Sequence, residues 1–424
     1  MVCFIGGFAV LLLYLLAKLV HELVRERGGR DLPPLCLHFD VNETIMLGDP
    51  AGGDTYEESL HKIMAKVAFV RPVPQKSRGK GKWAAWAWHD GSPLDPALRD
   101  ASAPLPPLLP QQFEDPPGCE RFYNVPELKD AYAKCFASEG SPGIIYKAEL
   151  ERMREMMRWP DGVTRDPRLC SPDGYYTFLP AFFYTLAALK ASGRRFSVVV
   201  RTFGSDLPQL IEAIEAFATG GHPLHLGLSA PELTIAPDRC WIGRYSRSDG
   251  SFTLSADPGG KLGAKKAPAG SSHFPDEGAM VEALQGPRDG PTRMSAVQDD
   301  YHWWKAAGYL PSAGKPMWLS RPTSDPSAWR HMFFDDNIHC DEEDSIVAVR
   351  VRASEADSSF TPVSGAVTVA LHSSAIKKVG TILPVKMEDY FIRQIRVCDA
   401  NFGEYEWKDR MRVPGGFKTL LGRE

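Results

Sequence analysis

Four short runs of apolar residues stand out from the mixed pattern of the rest of the chain. They cover 35–39, 196–201, 331–334 and 345–351. Each run is rich in β-branched or aromatic residues and is bounded by polar or turn-forming residues, which is typical of short buried strands. Because continuously apolar strands need cover on both faces, the runs predict a parallel sheet inside the molecule.

Apolar residues at helical spacing lie between these runs. The segment 206–218 begins with Asp206, a preferred N-cap residue, and has Pro208 in its first turn. Similar segments are found at 55–67, 150–157 and 387–400. Strands that alternate with helices predict an α/β fold, with a Rossmann-like parallel sheet sandwiched by helices.

Two long regions do not fit a simple alternation of strands and helices. The first contains a Trp-rich stretch at 83–88 and a Pro-rich stretch at 104–110. The second contains a predicted hairpin, formed by 239–245 and 251–255. It also contains a Gly/Pro/Lys-rich stretch at 255–290, which we expect to form a mobile loop. The chain has 424 residues, more than a typical single domain. We therefore expect a domain over 31–424 with large insertions, divided into core segments 31–50, 173–229 and 300–424 and insertions 51–172 and 230–299.

The first 30 residues form a hydrophobic segment of a different character. Residues 2–17 carry no charge, and the apolar run continues at 19–20 after Lys18. This length is borderline for a membrane-spanning helix and predicts membrane attachment through residues 2–20. Basic residues follow the run, so the positive-inside rule places the remaining chain in the cytosol. A cleaved leader and an interfacial helix are the alternatives, and without an anchor we expect a cytoplasmic protein.

Charge and cysteine spacing exclude several classes of function. The formal net charge is −4, so the chain has no basic field for nucleic acid. The eight cysteines contain no CxxC pair, which argues against a structural zinc site or a disulfide framework.

Polar residues follow three of the four predicted strands directly. Asp40 follows the first strand, Thr202 the second, and Asp335 with Asp336 the third. In an open parallel sheet, ligands bind at the carboxyl ends of the strands, so we expect these side chains to meet in one crevice. Carboxylates grouped in this way suit Mg²⁺, which binds one or two protein carboxylates together with phosphate oxygens and water.

These residue types predict phosphoryl-transfer chemistry. Asp40 is the candidate nucleophile, since aspartate can form an aspartyl-phosphate, and the Thr202 hydroxyl can bind a transferring phosphoryl oxygen. A lysine should neutralise the remaining negative charge. Lys315, 20 residues before Asp335, is the first candidate, and Lys305 is the alternative.

The motifs together resemble those of haloacid dehalogenase-like hydrolases. The sequence FDVNETI at 39–45 resembles the family's first motif, Thr202 the second, Lys315 the third, and FFDDN at 333–337 the acidic fourth. The resemblance spans roughly 35–350. It implies a Rossmann-like core with cap-type insertions and a Mg²⁺-dependent phosphatase or phosphotransferase that acts on a phosphorylated small molecule or phosphoprotein. It also implies metal ligands, which would be Asp40, Asn42 through its backbone carbonyl, Asp335 and Asp336.

One position departs from the family pattern. Family phosphatases have an aspartate two residues after the nucleophile as general acid and base, whereas this chain has Asn42. An amide positions a water or a leaving oxygen but cannot transfer a proton at neutral pH. Nearby residues that could substitute are His38, Glu43 and His339.

Two further hypotheses follow from this departure and from the family name. Asn42 favours a non-catalytic relative that binds ligand or protein, although the intact pair of Asp335 and Asp336 argues against a dead site. A carbon–halogen hydrolase is the third hypothesis. Such enzymes need no metal, so the paired acids count against it, and metal dependence distinguishes the two enzymatic readings.

Overall fold

The computed structural model describes most of the chain between Leu32 and Phe402. The described ranges are 32–48, 53–111, 113–256, 273–287, 290–320, 328–339, 345–352, 357–363, 370–372 and 374–402. The predicted hydrophobic segment at 1–30 lies outside them. Among the helices in these ranges, none has the length and apolarity required to cross a bilayer.

Strands and helices alternate along most of the described chain. The strands are β1 Leu35–Asp40, β2 Phe69–Pro72, β3 Trp86–Trp88, β4 Glu120–Arg121, β5 Phe196–Thr202, β6 Cys240–Tyr245, β7 Phe252–Ala256, β8 Arg293–Gln298, β9 Lys315–Ser320, β10 Arg330–Asp335, β11 Val347–Arg352, β12 Thr361–Pro362 and β13 Ile376–Lys378. The α-helices are α1 Tyr56–Ala65, α2 Pro126–Tyr132, α3 Lys147–Met156, α4 Pro180–Ser192, α5 Leu207–Ala218, α6 Glu277–Gln285, α7 Tyr301–Ala306, α8 Ile382–Lys386 and α9 Tyr390–Phe402.

The centre of the fold is a seven-stranded, mostly parallel sheet. Its strand order is β13-β10-β1-β5-β8-β6-β7, and only β7, which forms a hairpin with β6, is antiparallel to its neighbour. The mixed α/β architecture with a mostly parallel sheet agrees with the sequence prediction. Phe39 lies beside Phe334 of β10 and Val200 of β5, so the carboxyl ends of these three strands meet at one edge.

Helices cover one face of this sheet. Alternate residues of β1, such as Leu37 and Phe39, point into the largest apolar core. The Phe39 ring is 5.4 Å from that of Phe182 in α4 and 5.1 Å from that of Phe391 in α9, measured between centroids. Burial of such large aromatic side chains is the main favourable contribution to the packing of helices on the sheet.

The opposite face is covered by a second sheet as well as by a helix, where the prediction was helices alone. Cys36 of β1 and Val199 of β5 share a core with Trp318 of β9 and with α6. Strand β9 belongs to a second sheet, of order β12-β11-β9. A small sheet therefore covers much of the face where the α/β pattern predicts helices.

Two predicted segments take different places in the structure. The run at 345–351 does form a strand, β11, but it pairs with β9 in the second sheet and not with the central one. An apolar run specifies a strand but not its partner. The range 230–299, predicted as the second insertion, supplies β6, β7 and β8 to the central sheet, because β8 pairs with β5 and β6 pairs with β8.

The range 51–172 contains no strand of the central sheet among its described residues. It holds α1, α2, α3 and a third sheet of order β3-β2-β4. Trp88 from the Trp-rich stretch is buried there against Phe122 and Phe136, at ring-centroid distances of 6.2 and 6.3 Å. The Trp-rich stretch therefore serves packing within this region.

Candidate active site

Asp40 is the last residue of β1 and is buried at the carboxyl edge of the central sheet. The chain turns directly after it, because the carbonyl of Val41 accepts hydrogen bonds from the amides of Ile45 at 3.1 Å and Met46 at 2.9 Å. The Thr44 hydroxyl lies 3.4 Å from Asp40 Oδ2. The tight turn fixes the Asp40 carboxylate on a rigid strand end.

Lys315 is the lysine that the structure brings to Asp40. Its Nζ donates to Asp40 Oδ1 and, at 2.8 Å, to Asp335 Oδ2. Burial disfavours the charged ammonium, but Asp335 and Asp40 outweigh this cost and raise the pKa of Lys315. The alternative, Lys305, is exposed on α7.

Three carboxylates form one acidic group here. Oxygens of Asp40, Asp335 and Asp336 all lie within 4.8 Å of one another. Asp335 Oδ1 accepts from the amide of Asn337 at 2.9 Å, which orients this carboxylate from the next turn of chain. Burial and the Asp335 carboxylate raise the pKa of Asp40 well above the usual aspartate range, although Lys315 opposes the shift.

The group has the donor atoms with which a metal ion could be held. The donors are carboxylate oxygens, which Mg²⁺ prefers, and they lie close enough to share one ion. Asn42 Oδ1 is also buried and has no hydrogen-bond partner among the described residues. A second group with metal-ligand atoms within 4.8 Å consists of Cys36 and His38 of β1 and His331 of β10.

Thr202 and Asn42 surround a neighbouring turn. The Thr202 hydroxyl at the end of β5 accepts from the amide of Gly204 at 2.8 Å. The Asn42 side-chain amide donates to Asp206 Oδ2 at 3.0 Å. A Cβ placed on Gly204 would lie 2.5 Å from Asp206 Oδ2, 3.3 Å from Thr202 Oγ1 and 3.4 Å from Asn42 Nδ2. The close approach of these side chains explains why a residue without a side chain stands at this turn.

Asp336 is held by a network that the sequence does not indicate. Its Oδ2 accepts from Lys66 Nζ at 2.9 Å, and Lys66 also pairs with Glu43. The Glu43 carboxylate also pairs with Lys62 at 2.7 Å, and the Glu43 backbone carbonyl accepts a hydrogen bond from the Thr381 hydroxyl. Its φ of 56° is unusual for a residue other than glycine. The ion pairs and the hydrogen bond stabilise this strained turn beside Asp40.

The three residues considered as substitute acids lie in different settings. Glu43 is engaged by lysines. His38 Nε2 lies 3.1 Å from His331 Nδ1, and burial lowers the pKa of His38 well below its usual value. Burial and the cations Lys378 and Arg121 lower the pKa of His339 to about 3. The two histidines are therefore neutral at physiological pH.

A buried ion pair supports the position of Lys315. Arg201, in β5, donates from Nε to Asp299 Oδ2 at 3.0 Å and from its terminal nitrogens to Asp299 Oδ1 and to the carbonyl of Pro316. Both side chains are inaccessible to solvent. Because Pro316 follows Lys315, Arg201 fastens the start of β9 to the central sheet.

Substitution of Arg201 by lysine is therefore expected to destabilise the protein by about 3–5 kcal/mol, since one ammonium cannot reproduce the guanidinium contacts and Asp299 is left buried and poorly paired. Urea denaturation measures the free energy of unfolding. The matched control is Arg247→Lys at an exposed position, which should leave it unchanged. Equal stability of the two variants would contradict the role of Arg201 in holding the start of β9 against the central sheet.

A cavity of about 640 Å³ opens beside Asp336. One wall belongs to the region 51–172, and the other follows the ends of β10 and β13. Its charged lining includes Lys66, Arg121, Lys129, Asp130, Asp336 and Lys378. The cavity therefore contains more cations than carboxylates.

Lys378 lines this cavity and forms no salt bridge with the described residues. Its side chain is half-buried, and its Nζ donates to the carbonyl of Ile338 at 2.7 Å. Burial and the Arg121 guanidinium lower the pKa of Lys378 to about 7. The cavity thus has an electropositive wall that protein carboxylates only partly neutralise.

Comparison of the chain with known protein families, with curated proteins and with solved structures finds no match in any of the three.

Proposed function

We propose that this protein is a Mg²⁺-dependent phosphoesterase or phosphotransferase of the haloacid dehalogenase-like type, with Asp40 as nucleophile. The observation that carries the proposal is the convergence of Lys315 with three carboxylates at the carboxyl edge of the sheet. The residues come from three separate strands and from chain positions up to 296 apart, the difference between 336 and 40. The geometry supports the same roles that the resemblance implies.

In the proposed reaction, Asp40 attacks phosphorus with the oxygen that is not bound by Lys315. Lys315 holds its Oδ1, while Oδ2 has only the long contact from Thr44 among the hydrogen bonds of the described residues. The free oxygen forms a bond to phosphorus as the bond from phosphorus to the leaving oxygen breaks, and the electron pair departs with that oxygen. Water then attacks phosphorus, releases phosphate and restores the Asp40 carboxylate; in a phosphotransferase an acceptor hydroxyl takes this role.

The surrounding residues supply charge and position. Lys315 offsets negative charge on Asp40 and Asp335, and the Thr202 hydroxyl offers a donor for a phosphoryl oxygen. Asp335 and Asp336 would hold Mg²⁺ together with Asp40. Mg²⁺, when bound, neutralises phosphate charge and relieves the repulsion between the phosphate and the Asp40 carboxylate.

Asn42 defines the kind of leaving group. Its amide donates to Asp206 and cannot protonate a departing alkoxide. Substrates with leaving groups that need little protonation, such as acyl or aryl phosphates, are therefore expected to react faster than alkyl phosphates. Phosphate release from both classes, with and without Mg²⁺, tests the proposal, and metal-independent turnover would contradict it.

The variant Asn42→Asp should accelerate hydrolysis of alkyl phosphates by a factor of roughly 10²–10⁴, because it supplies the missing general acid. The facing carboxylate of Asp206 favours a protonated Asp at this position, since two close carboxylates share a proton. Aryl phosphates should change little. Asn42→Ala is the control, and an equal gain on both substrate classes would contradict the role.

A non-catalytic, ligand-binding protein is the second candidate function. The Asn42–Asp206 hydrogen bond favours it, because it occupies the place where the general acid is expected. This candidate predicts that Mg²⁺ raises the melting temperature while no phosphate is released from acyl or aryl phosphates.

A further inference from the structure

We propose that the cavity beside Asp336 selects a small-molecule substrate with a second anionic group, which binds Arg121, Lys129 and Lys378 while the reacting phosphate lies at Asp40. The inference rests on the proposed function for the reacting end of the substrate. The cationic wall itself is independent of that chemistry.

The charges in the cavity are unevenly matched. Lys66 is paired with Asp336 and Glu43, so it is committed to the protein. Arg121 pairs at 3.1 Å with Asp115, which is more than a third exposed and hence screened by solvent. Lys378 Nζ donates to a neutral carbonyl, so an anion in the cavity would favour the ammonium form of Lys378 and pair with it.

Three of the cations that line the cavity lie against aromatic rings. Lys66 Nζ lies 5.4 Å and Lys129 Nζ 4.7 Å from the centre of the Tyr123 ring. Arg121 lies over Phe69 at 5.7 Å. Such cation–π contacts restrict the side chains without neutralising their charge. The cations are therefore held in place and can still bind an external anion.

The size of the cavity favours a small molecule over a phosphorylated protein. A volume of about 640 Å³ falls within the usual range for small-molecule sites. Walls from both the 51–172 region and the central sheet make the site concave. Since Asp336 belongs to the acidic group and also lines the cavity, one ligand can reach both places.

Calorimetric titration of the full chain in Mg²⁺ tests the inference. The probes are propanediol, butanediol and hexanediol bisphosphates, each compared with the alkyl monophosphate of the same length. We expect at least one bisphosphate to bind about tenfold or more tightly than its monophosphate, since charge-assisted hydrogen bonds are the strong ones. Lys378→Met and Lys129→Gln should each reduce this preference severalfold and leave monophosphate affinity unchanged.

Lys305→Met is the matched control and should keep the preference. Lys129 is exposed, so its variant remains informative if Lys378→Met fails to fold. No preference in the wild type, a preference that survives both variants, or tighter binding of a phosphorylated peptide would each overturn the inference. Bisphosphate preference without phosphate release from acyl or aryl phosphates would instead refute the proposed enzyme and keep the anion site. Phosphate release from those substrates without the preference would do the reverse.

Discussion

Asp40→Asn is expected to reduce Mg²⁺-dependent hydrolysis of an aryl phosphate by about 10³-fold or more, because loss of a covalent nucleophile removes the main reaction route. The amide has nearly the same shape as the carboxylate, so the packing at the end of β1 should survive. Initial rates of phosphate release, measured beside circular dichroism spectra, separate lost chemistry from lost structure.

The control for this prediction is Asp173→Asn, at an exposed position away from the described site. It should retain wild-type rates. If Asp40→Asn folds normally and retains more than about a tenth of the wild-type rate, Asp40 is not the nucleophile.

Lys315→Met is expected to lower the free energy of unfolding by about 3–5 kcal/mol, because it leaves the buried carboxylates of Asp40 and Asp335 without their counter-charge. Saturating Mg²⁺ should recover part of this loss, since the cation binds the same oxygens in the folded state only. Urea denaturation with and without Mg²⁺ measures both effects.

Lys305→Met provides the comparison, because it removes an equal charge from an exposed position. It should leave stability unchanged in either condition. A Lys315→Met variant as stable as Lys305→Met would contradict the buried ion pairs.

The central strands could be predicted because their pattern is local. The runs at 35–39, 196–201 and 331–334 correspond to β1, β5 and β10, and the polar residues that follow them meet at one edge. The helix at 206–218 was equally readable and forms α5 at Leu207–Ala218. In these segments the apolar residues that become buried are close together in the sequence, so the pattern alone identifies the element.

The other strand pairings could not be predicted, because they depend on residues far apart in the chain. Strand β8 has the sequence RMSAVQ, which shows no continuous apolar run, and its place beside β5 depends on long-range pairing. β11 has a clear strand pattern, VAVRVR, but nothing within it chooses β9 over the central sheet as its partner.

The candidate site shows the same division. Asp40, Thr202, Asp335 and Asp336 each follow a readable strand, and Lys315 came from its spacing before Asp335. The supporting charges had weaker signals. Arg201 stands in an otherwise apolar strand, where a charge demands a buried partner, but its pairing with Asp299 across 98 residues has no local signature. Lys66 directly follows helix α1, and its sequence position predicts only a solvated charge. In the structure it pairs with Asp336.

The most direct test of the proposed chemistry is detection of a phosphoryl group on Asp40. The full chain is mixed with acetyl phosphate and Mg²⁺, quenched in acid, reduced with borohydride and digested, and the peptide containing 39–45 is examined by mass spectrometry. The account predicts a label at Asp40 that requires Mg²⁺ and is absent from Asp40→Asn. Phosphate release without any label at Asp40, or a label that persists in Asp40→Asn, would contradict it.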